Sequence, residues 1–239
     1  MSNLLIVPAS LMTSSLHLQG DLQETPTAPT LAVYFGTFNP VHYGHLQIAQ
    51  GVLNQGLAKQ VAFVPTGNPP NRAEDPSLVA GHHRFEMLRR VTAQHPHFTV
   101  WPDEIDFPNP NGPGSTKDEP RKIHYTSDTL ESRFQLSSRP TPLNIPFILG
   151  EDSFNTLSSW KNIDCLIFHC HFLLIRRHGP GSGASISEPL PGCRYTVLDL
   201  PLLPYSATDI RQRFSKGTAP HFLTPQAVIE YAEWNQLYD

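Results

Sequence analysis

In Leu31-Ala-Val-Tyr-Phe-Gly36, followed by Thr37-Phe-Asn-Pro-Val-His42-Tyr-Gly44-His45-Leu46, a short apolar run ends in glycine, a proline turn follows, and two histidines arrive together. The segment Leu46 to Leu57 then places Leu46, Ile48, Ala49, Val52 and Leu53 on one helix face. The pattern is strand, loop and helix with a polar apex. His42 and His45 are three apart, so they share one side of the first helical turn. Unpaired backbone N–H groups and the positive end of the helix dipole are found at such a start, which suits an anion. Gly36 and Gly44 lack a Cβ, so a ligand can approach the backbone there. The stretch reads as a phosphate cradle with two imidazole donors.

Composition limits what surrounds this cradle. With 239 residues and 39% hydrophobic content, the chain is long enough for one substantial α/β core with insertions. A net charge of −4 and a pI near 6.3 give no bulk attraction to nucleic acid or to an anionic membrane, so phosphate binding must come from local geometry. Cys165, Cys170 and Cys193 make no disulfide framework and no CxxC pair, and reduced thiols in a cytoplasmic protein are expected. No basic n-region or spanning apolar run marks a targeting segment.

Residues 1–30 carry Ser, Thr and Pro with little periodicity and are expected to be a flexible N-terminal extension, leaving 31–239 as a single domain. Gln60 to Pro65 reads as a second strand, closed by Thr66-Gly-Asn-Pro-Pro70. His82 to Gln94 reads as a helix, with His82 and His83 solvated at its start, and Phe98 to Ile105 as a third strand. The stretch 107–121 has no apolar period and is expected to be an inserted surface loop. A helix starts near Thr126 with Leu130, Phe134 and Leu136 inward. Pro146 to Gly150 is a buried strand, followed by a helical stretch holding Leu157 and Trp160. Cys165 to Ile175 contains a turn and then the strand Phe172-Leu-Leu-Ile; its His169-Cys170-His171 triplet is structural, because neighbours in a strand point apart. The Gly-rich string within Arg176 to Cys193 is a loop without a dinucleotide context. Tyr195 to Leu200 gives another strand, and Thr224 to Leu237 a final helix with Val228, Ile229 and Tyr231 towards the core. Strands alternating with helices imply a doubly wound, Rossmann-like parallel sheet with helices on both faces and ligands at the carboxyl ends of its strands.

A second polar helix start lies in Pro204-Tyr-Ser206-Ala-Thr208-Asp209-Ile-Arg211. Taken alone, Ser206 with Asp209 is a variant capping box and an ordinary helix start. Arg211 fits less simply, since a cation in a first helical turn opposes the dipole unless an anion is bound.

The string GTFNPVHYGHL closely resembles the G-[ST]-F-[DN]-P-x-H-x-G-H signature of the HxGH nucleotidylyltransferase superfamily, and the later string resembles its I-S-S-T-x-I-R. Tyr125-Thr126-Ser-Asp128-Thr129-Leu130 resembles the Y-T-x-D-T-L of nicotinate or nicotinamide mononucleotide adenylyltransferases. Phe147-Ile-Leu-Gly150-Glu-Asp152 with Leu157-Ser-Ser-Trp160-Lys161 resembles their G-x-D…L-x-x-W-K. Phe63-Val-Pro65 with Pro69-Pro70 resembles their I-P…P-P-H-K. The likeness covers about residues 31–239.

It implies transfer of AMP from ATP to nicotinate mononucleotide, giving nicotinate adenine dinucleotide and pyrophosphate, with Mg²⁺ carried mainly on the ATP phosphates. His42, His45 and Arg211 would be catalytic. Gly36, Thr37, Phe38, Gly150, Asp152, Ser206 and Thr208 would join them around ATP, with Asp152 on the ribose. Thr126, Trp160 and Arg72 would hold the mononucleotide. The chain departs from the pattern at Asn39, Asn71-Arg72, Tyr205 and Ala207. Nicotinamide mononucleotide stays open as the acceptor, as do pantetheine-phosphate adenylyltransferase chemistry on the same fold and an inactive nucleotide-binding regulator. A homo-oligomer is equally open; nucleic acid and membrane are not expected partners.

Overall fold

The computed structural model describes residues 30–67, 75, 77–107, 123–176, 189–200 and 205–238. The expected N-terminal extension, Arg72, Pro69-Pro70, nearly all of the loop 107–121 and the Gly-rich string after Arg176 lie outside the described residues.

Among the described residues six strands form the sheet: β1 (Leu31–Gly36), β2 (Gln60–Pro65), β3 (Phe98–Val100), β4 (Ile145–Gly150), β5 (Cys170–Ile175) and β6 (Tyr195–Val197). They lie in the order β3-β2-β1-β4-β5-β6, and every pair is parallel. Parallel neighbours need crossovers, and the helices supply them: α1 (Tyr43–Asn54), α2 (Gly81–Thr92), α3 (Thr126–Phe134), α4 (Glu151–Phe154), α5 (Ile163–His169), α6 (Ala207–Phe214) and α7 (Gln226–Trp234). This is the doubly wound, Rossmann-like sheet expected from the alternation.

Side chains alternate across each strand, and both faces of β1, β2, β4 and β5 are apolar and buried, while the edge strand β6 is exposed. Ala32, Tyr34, Val61, Phe63, Ile148 and Leu173 enter one cluster with residues of α1, α2, α6 and α7. Val33, Ala62, Val64, Phe147, Phe172 and Leu174 enter the other, against α3 and α5. The strand order reverses between β1 and β4, where Val33 faces Phe147 and Tyr34 faces Ile148. Continued, that register sets Gly36 level with Gly150 at the carboxyl edge, with Pro65 beside Gly36 and Ile175 beside Gly150. Two glycines thus flank the switch point, where ligands bind in sheets of this kind.

Several elements differ from expectation for identifiable reasons. β3 stops at Val100 rather than Ile105, since Pro102 has no N–H for a ladder. The Cys165 to His169 part of the supposed turn is the body of α5, and β5 begins at Cys170. His169 therefore ends a helix while His171 is the second residue of β5, bonded to Thr196 Oγ1 at 2.8 Å. Leu136 sits beyond α3 in a separate 3-10 turn, after Gln135 turns left-handed. Leu157 also lies in a 3-10 turn, with Trp160 extended just past its end. α1 begins three residues before Leu46.

Phe172 is fully buried in β5, between Phe147 at 5.6 Å and Phe154 at 6.4 Å. Phe172→Ala is expected to cost about 3–5 kcal/mol, because the surrounding strands cannot collapse into the cavity. A urea titration followed by circular dichroism would show it as a lowered midpoint, and an unchanged midpoint would contradict this packing.

Candidate active site

The loop leaving β1 is shaped by its own rings. Phe38 adopts φ 47, a left-handed conformation unusual for a non-glycine residue, and is 2% exposed. Its ring packs edge-on against Tyr34 at 5.4 Å, Phe63 at 5.6 Å and His45 at 5.0 Å. A Cβ on Gly36 would lie 2.8 Å from Phe38 Cζ. Gly44 follows the same logic, since its Cβ would fall 2.9 Å from His42 Cε1. The two glycines make room for Phe38 and His42, a packing role the sequence does not display. Gly150, by contrast, has open space where a Cβ would stand.

His42 occupies the N-cap of α1 and forms a reciprocal capping box with His45. The His42 backbone N–H donates to His45 Nδ1 at 3.2 Å, and the two rings stack at 3.7 Å. Because His45 Nδ1 accepts, its neutral ring carries the proton on Nε2, the geometry by which one nitrogen's bond sets the role of the other. The pair thus places a fixed imidazole donor at the positive end of a twelve-residue helix.

Asn39 is nearly buried, and its amide uses both ends. Nδ2 donates to the Ser77 carbonyl at 2.8 Å, while Oδ1 accepts from the Val79 N–H at 3.3 Å and from the Tyr238 hydroxyl at 3.0 Å. A carboxylate could accept but not donate, which gives the Asn39 departure from an aspartate a physical reason in this chain. Burial pushes the Tyr238 hydroxyl pKa up, opposed by Arg211 and Arg84, so it remains a donor.

The second helix start meets the first. Ser206 caps α6 by accepting the Asp209 N–H at 3.1 Å, as its spacing predicts. Arg211 is the fifth residue of α6, beyond the first turn in which it was expected. Its Nη1 donates to the Asn39 carbonyl at 2.9 Å and Nη2 to Thr208 Oγ1 at 3.3 Å. One guanidinium thereby holds the GTFNP loop against the Ser206–Thr208 helix start, while Ser206 and Thr208 remain exposed.

The motifs assigned to the acceptor also meet. Thr126 opens α3 after the N-cap Tyr125. Lys161 Nζ pairs with Asp128 Oδ2 at 2.8 Å and lies 4.8 Å from the Tyr125 ring centre. Trp160 is half-buried, edge-on to Phe147 at 6.1 Å. Asp152 is exposed as the second residue of α4, beyond the carboxyl end of β4.

Two further polar residues shape the site without announcing themselves in a motif. Arg84 is 1% exposed and donates from Nε to the Val79 carbonyl at 3.1 Å, from Nη1 to Thr37 at 2.7 Å and from Nη2 to Gly67 at 2.9 Å. Burial lowers its pKa to about 10, with Tyr238 and Glu104 opposing, so it stays charged at neutral pH. A signal existed: Arg84, Met87, Leu88 and Val91 fall on one buried helical stripe, and an arginine on such a stripe must find internal acceptors. Glu104 is equally buried, and its neighbourhood has no periodicity that would mark it.

Residues 33–213 match the family model described as cytidylyltransferase-like. A protein of Acidothermus cellulolyticus described as "Probable nicotinate-nucleotide adenylyltransferase" is 33% identical over 210 residues, covering 87% of this chain and 93% of its own. One of Pectobacterium atrosepticum with the same description is 32% identical over 230 residues, 88% of this chain and 99% of its own. Among solved structures, Plasmodium falciparum nicotinic acid mononucleotide adenylyltransferase complexed with NaAD shares the fold, with a TM-score of 0.61 at 20% identity over 88% of this chain and 98% of that one. With its sheet, its two joined polar helix starts and these relatives, the chain belongs to the nicotinate-nucleotide adenylyltransferase family of cytidylyltransferase-like nucleotidyltransferases.

Proposed function

We propose that the protein transfers AMP from ATP to nicotinate mononucleotide, releasing pyrophosphate. The observation that carries this reading is the bond from Arg211 to the Asn39 carbonyl at 2.9 Å, which joins two anion-binding helix starts at one edge of the sheet. A phosphate oxygen of the mononucleotide attacks the α-phosphorus, and the bond from that phosphorus to the bridging oxygen of the β-phosphate breaks. Pyrophosphate leaves with the electron pair. The attacking phosphate is already anionic, so no general base is required, and catalysis rests on alignment and charge neutralisation.

In this reading His45 Nε2–H and His42 donate to phosphate oxygens beside the start of α1. Arg211, Ser206 and Thr208 hold the triphosphate, and the loop Gly36, Thr37 and Phe38 forms its floor. Gly150 lets the nucleotide approach β4, and Asp152 accepts from the ribose hydroxyls. Thr126 and Trp160 flank the pyridine ring, with the Lys161–Asp128 pair fixing their two segments together; Arg72 is assigned to the mononucleotide phosphate. Mg²⁺ would be held mainly by the triphosphate oxygens and water, as such an ion commonly is in phosphoryl-transfer sites. Such an ion, when bound, neutralises charge on the triphosphate. No helix among the described residues is long and apolar enough to cross a membrane. We place the enzyme in the cytoplasm, a compartment that keeps thiols such as Cys165, Cys170 and Cys193 reduced.

His45→Ala should lower kcat by about 100-fold or more, the scale of losing a preorganised donor to a reacting phosphate, while circular dichroism stays native; undiminished turnover would remove His45 from the mechanism. Arg211→Lys should raise KM for ATP roughly tenfold, since an ammonium cannot serve the Asn39 carbonyl, Thr208 and a phosphate with one planar fork. Pyrophosphate release with ATP and separate acceptors tests the substrate: nicotinate mononucleotide should turn over fastest, nicotinamide mononucleotide more slowly and phosphopantetheine not at all. Equal rates with both mononucleotides would overturn the nicotinate preference, and ATP binding without pyrophosphate release would favour a regulator.

A further inference from the structure

A carboxylate taken out of water must be repaid by donors, or it neutralises. Glu104 is 1% exposed and has two donors of different origin. Its Oε2 accepts the Gly67 N–H at 3.3 Å, just beyond β2, and its Oε1 accepts the Thr129 hydroxyl at 3.0 Å, on the buried side of α3. Burial raises its carboxyl pKa, opposed by the Thr129 and Gly67 hydrogen bonds and the charge of His124, with Asp103 adding to the rise.

Gly67 is held from its other side as well. Its carbonyl accepts from Arg84 Nη2 at 2.9 Å, and Arg84 Nη1 continues to the Thr37 carbonyl at 2.7 Å. No side chain fits at Gly67, because a Cβ there would stand 1.8 Å from the Glu104 carbonyl oxygen. A continuous hydrogen-bonded path therefore runs from Thr129 through Glu104, Gly67 and Arg84 to Thr37. Its two ends are the acceptor helix and the triphosphate loop, and Thr126 lies one turn from Thr129 on the same side of α3.

We propose that Glu104 is a positioning residue that sets the distance between the mononucleotide helix and the triphosphate loop, acting through Gly67 and Arg84. This rests on the adenylyl-transfer reading. In-line attack needs the acceptor phosphate and the α-phosphorus within near-attack distance, so a small drift between the two half-sites lowers kcat while each half-site still binds. Glu104 touches neither substrate in this scheme.

Two arms test it on the full-length protein. In steady state, normalised to folded protein, Glu104→Ala should lower kcat about ten- to a hundredfold while both KM values stay within about threefold. Glu104→Gln should recover most of the loss, because its carbonyl can accept from Gly67 while its amide donates to the Thr129 oxygen. Thr129→Val, a milder cut at the same bond, should reproduce part of the defect and add little to Glu104→Ala. If the alanine variant does not fold, Thr129→Val and Glu104→Gln carry the same comparison. In the second arm, amide hydrogen exchange without substrate should quicken in Glu104→Ala over both 36–42 and 126–134 while β4 and β5 stay protected. An unchanged kcat per folded molecule, glutamine behaving like alanine, or exchange rising at one end alone would overturn the proposal. Wild-type protein inactive on nicotinate mononucleotide would instead refute the substrate reading, and the exchange arm would still decide the coupling.

Discussion

The site depends on how the loop after β1 disposes of its backbone carbonyls. A buried carbonyl needs a donor, and near an anion site that donor must come from inside the fold. Gly36 O accepts the Thr66 N–H at 2.9 Å, Thr37 O accepts from Arg84 at 2.7 Å, Asn39 O from Arg211 at 2.9 Å and Val41 O from the Thr224 hydroxyl at 2.7 Å. The donors come from the end of β2, from α2, from α6 and from the turn before α7. Each captured carbonyl is a negative dipole end not presented to phosphate, and each capture locks one more part of the chain to this loop.

That arrangement explains why so many polar residues are buried near one end of an otherwise apolar double-faced core. A buried arginine or glutamate is a poor source of stability in itself, because desolvation offsets most of the attraction. Arg84 and Glu104 make sense as geometry: both fix the Gly67 backbone just past β2, Arg84 reaching on to the Thr37 carbonyl past β1 and Glu104 to the Thr129 hydroxyl on α3. The aromatic set of Tyr34, Phe38, Phe63 and His45 does the same by packing, with Gly36 and Gly44 keeping the space that Phe38 and His42 fill.

Much of this was legible from residue order. The apolar runs of β1, β2 and β4 and the amphipathic spacing of α2 and α7 appear in the chain as short-range patterns, and alternation of strand with helix points to a parallel sheet. The Ser206 cap and the two histidines are local motifs whose chemistry operates within one helical turn. Less visible were Asn39, read as a departure from a pattern and found to be a two-sided amide node, and Arg211, read as a first-turn cation and found five residues in. Arg84 sat in plain view on an apolar stripe. Glu104 gave no sign, because its partners Gly67 and Thr129 are 37 and 25 residues away.

By itself, then, the amino-acid order determined the class of fold and the two polar helix starts, since periodicity, capping and turn chemistry are set by neighbours a few residues apart. Tertiary structure alone decided that Arg211 of the second start reaches the Asn39 carbonyl beside the first, and why residue 39 is an amide. Those outcomes depend on hydrogen bonds such as Arg211 to Asn39, 172 residues apart. A bond of that span has no periodic trace in the chain, because only folding brings its ends together.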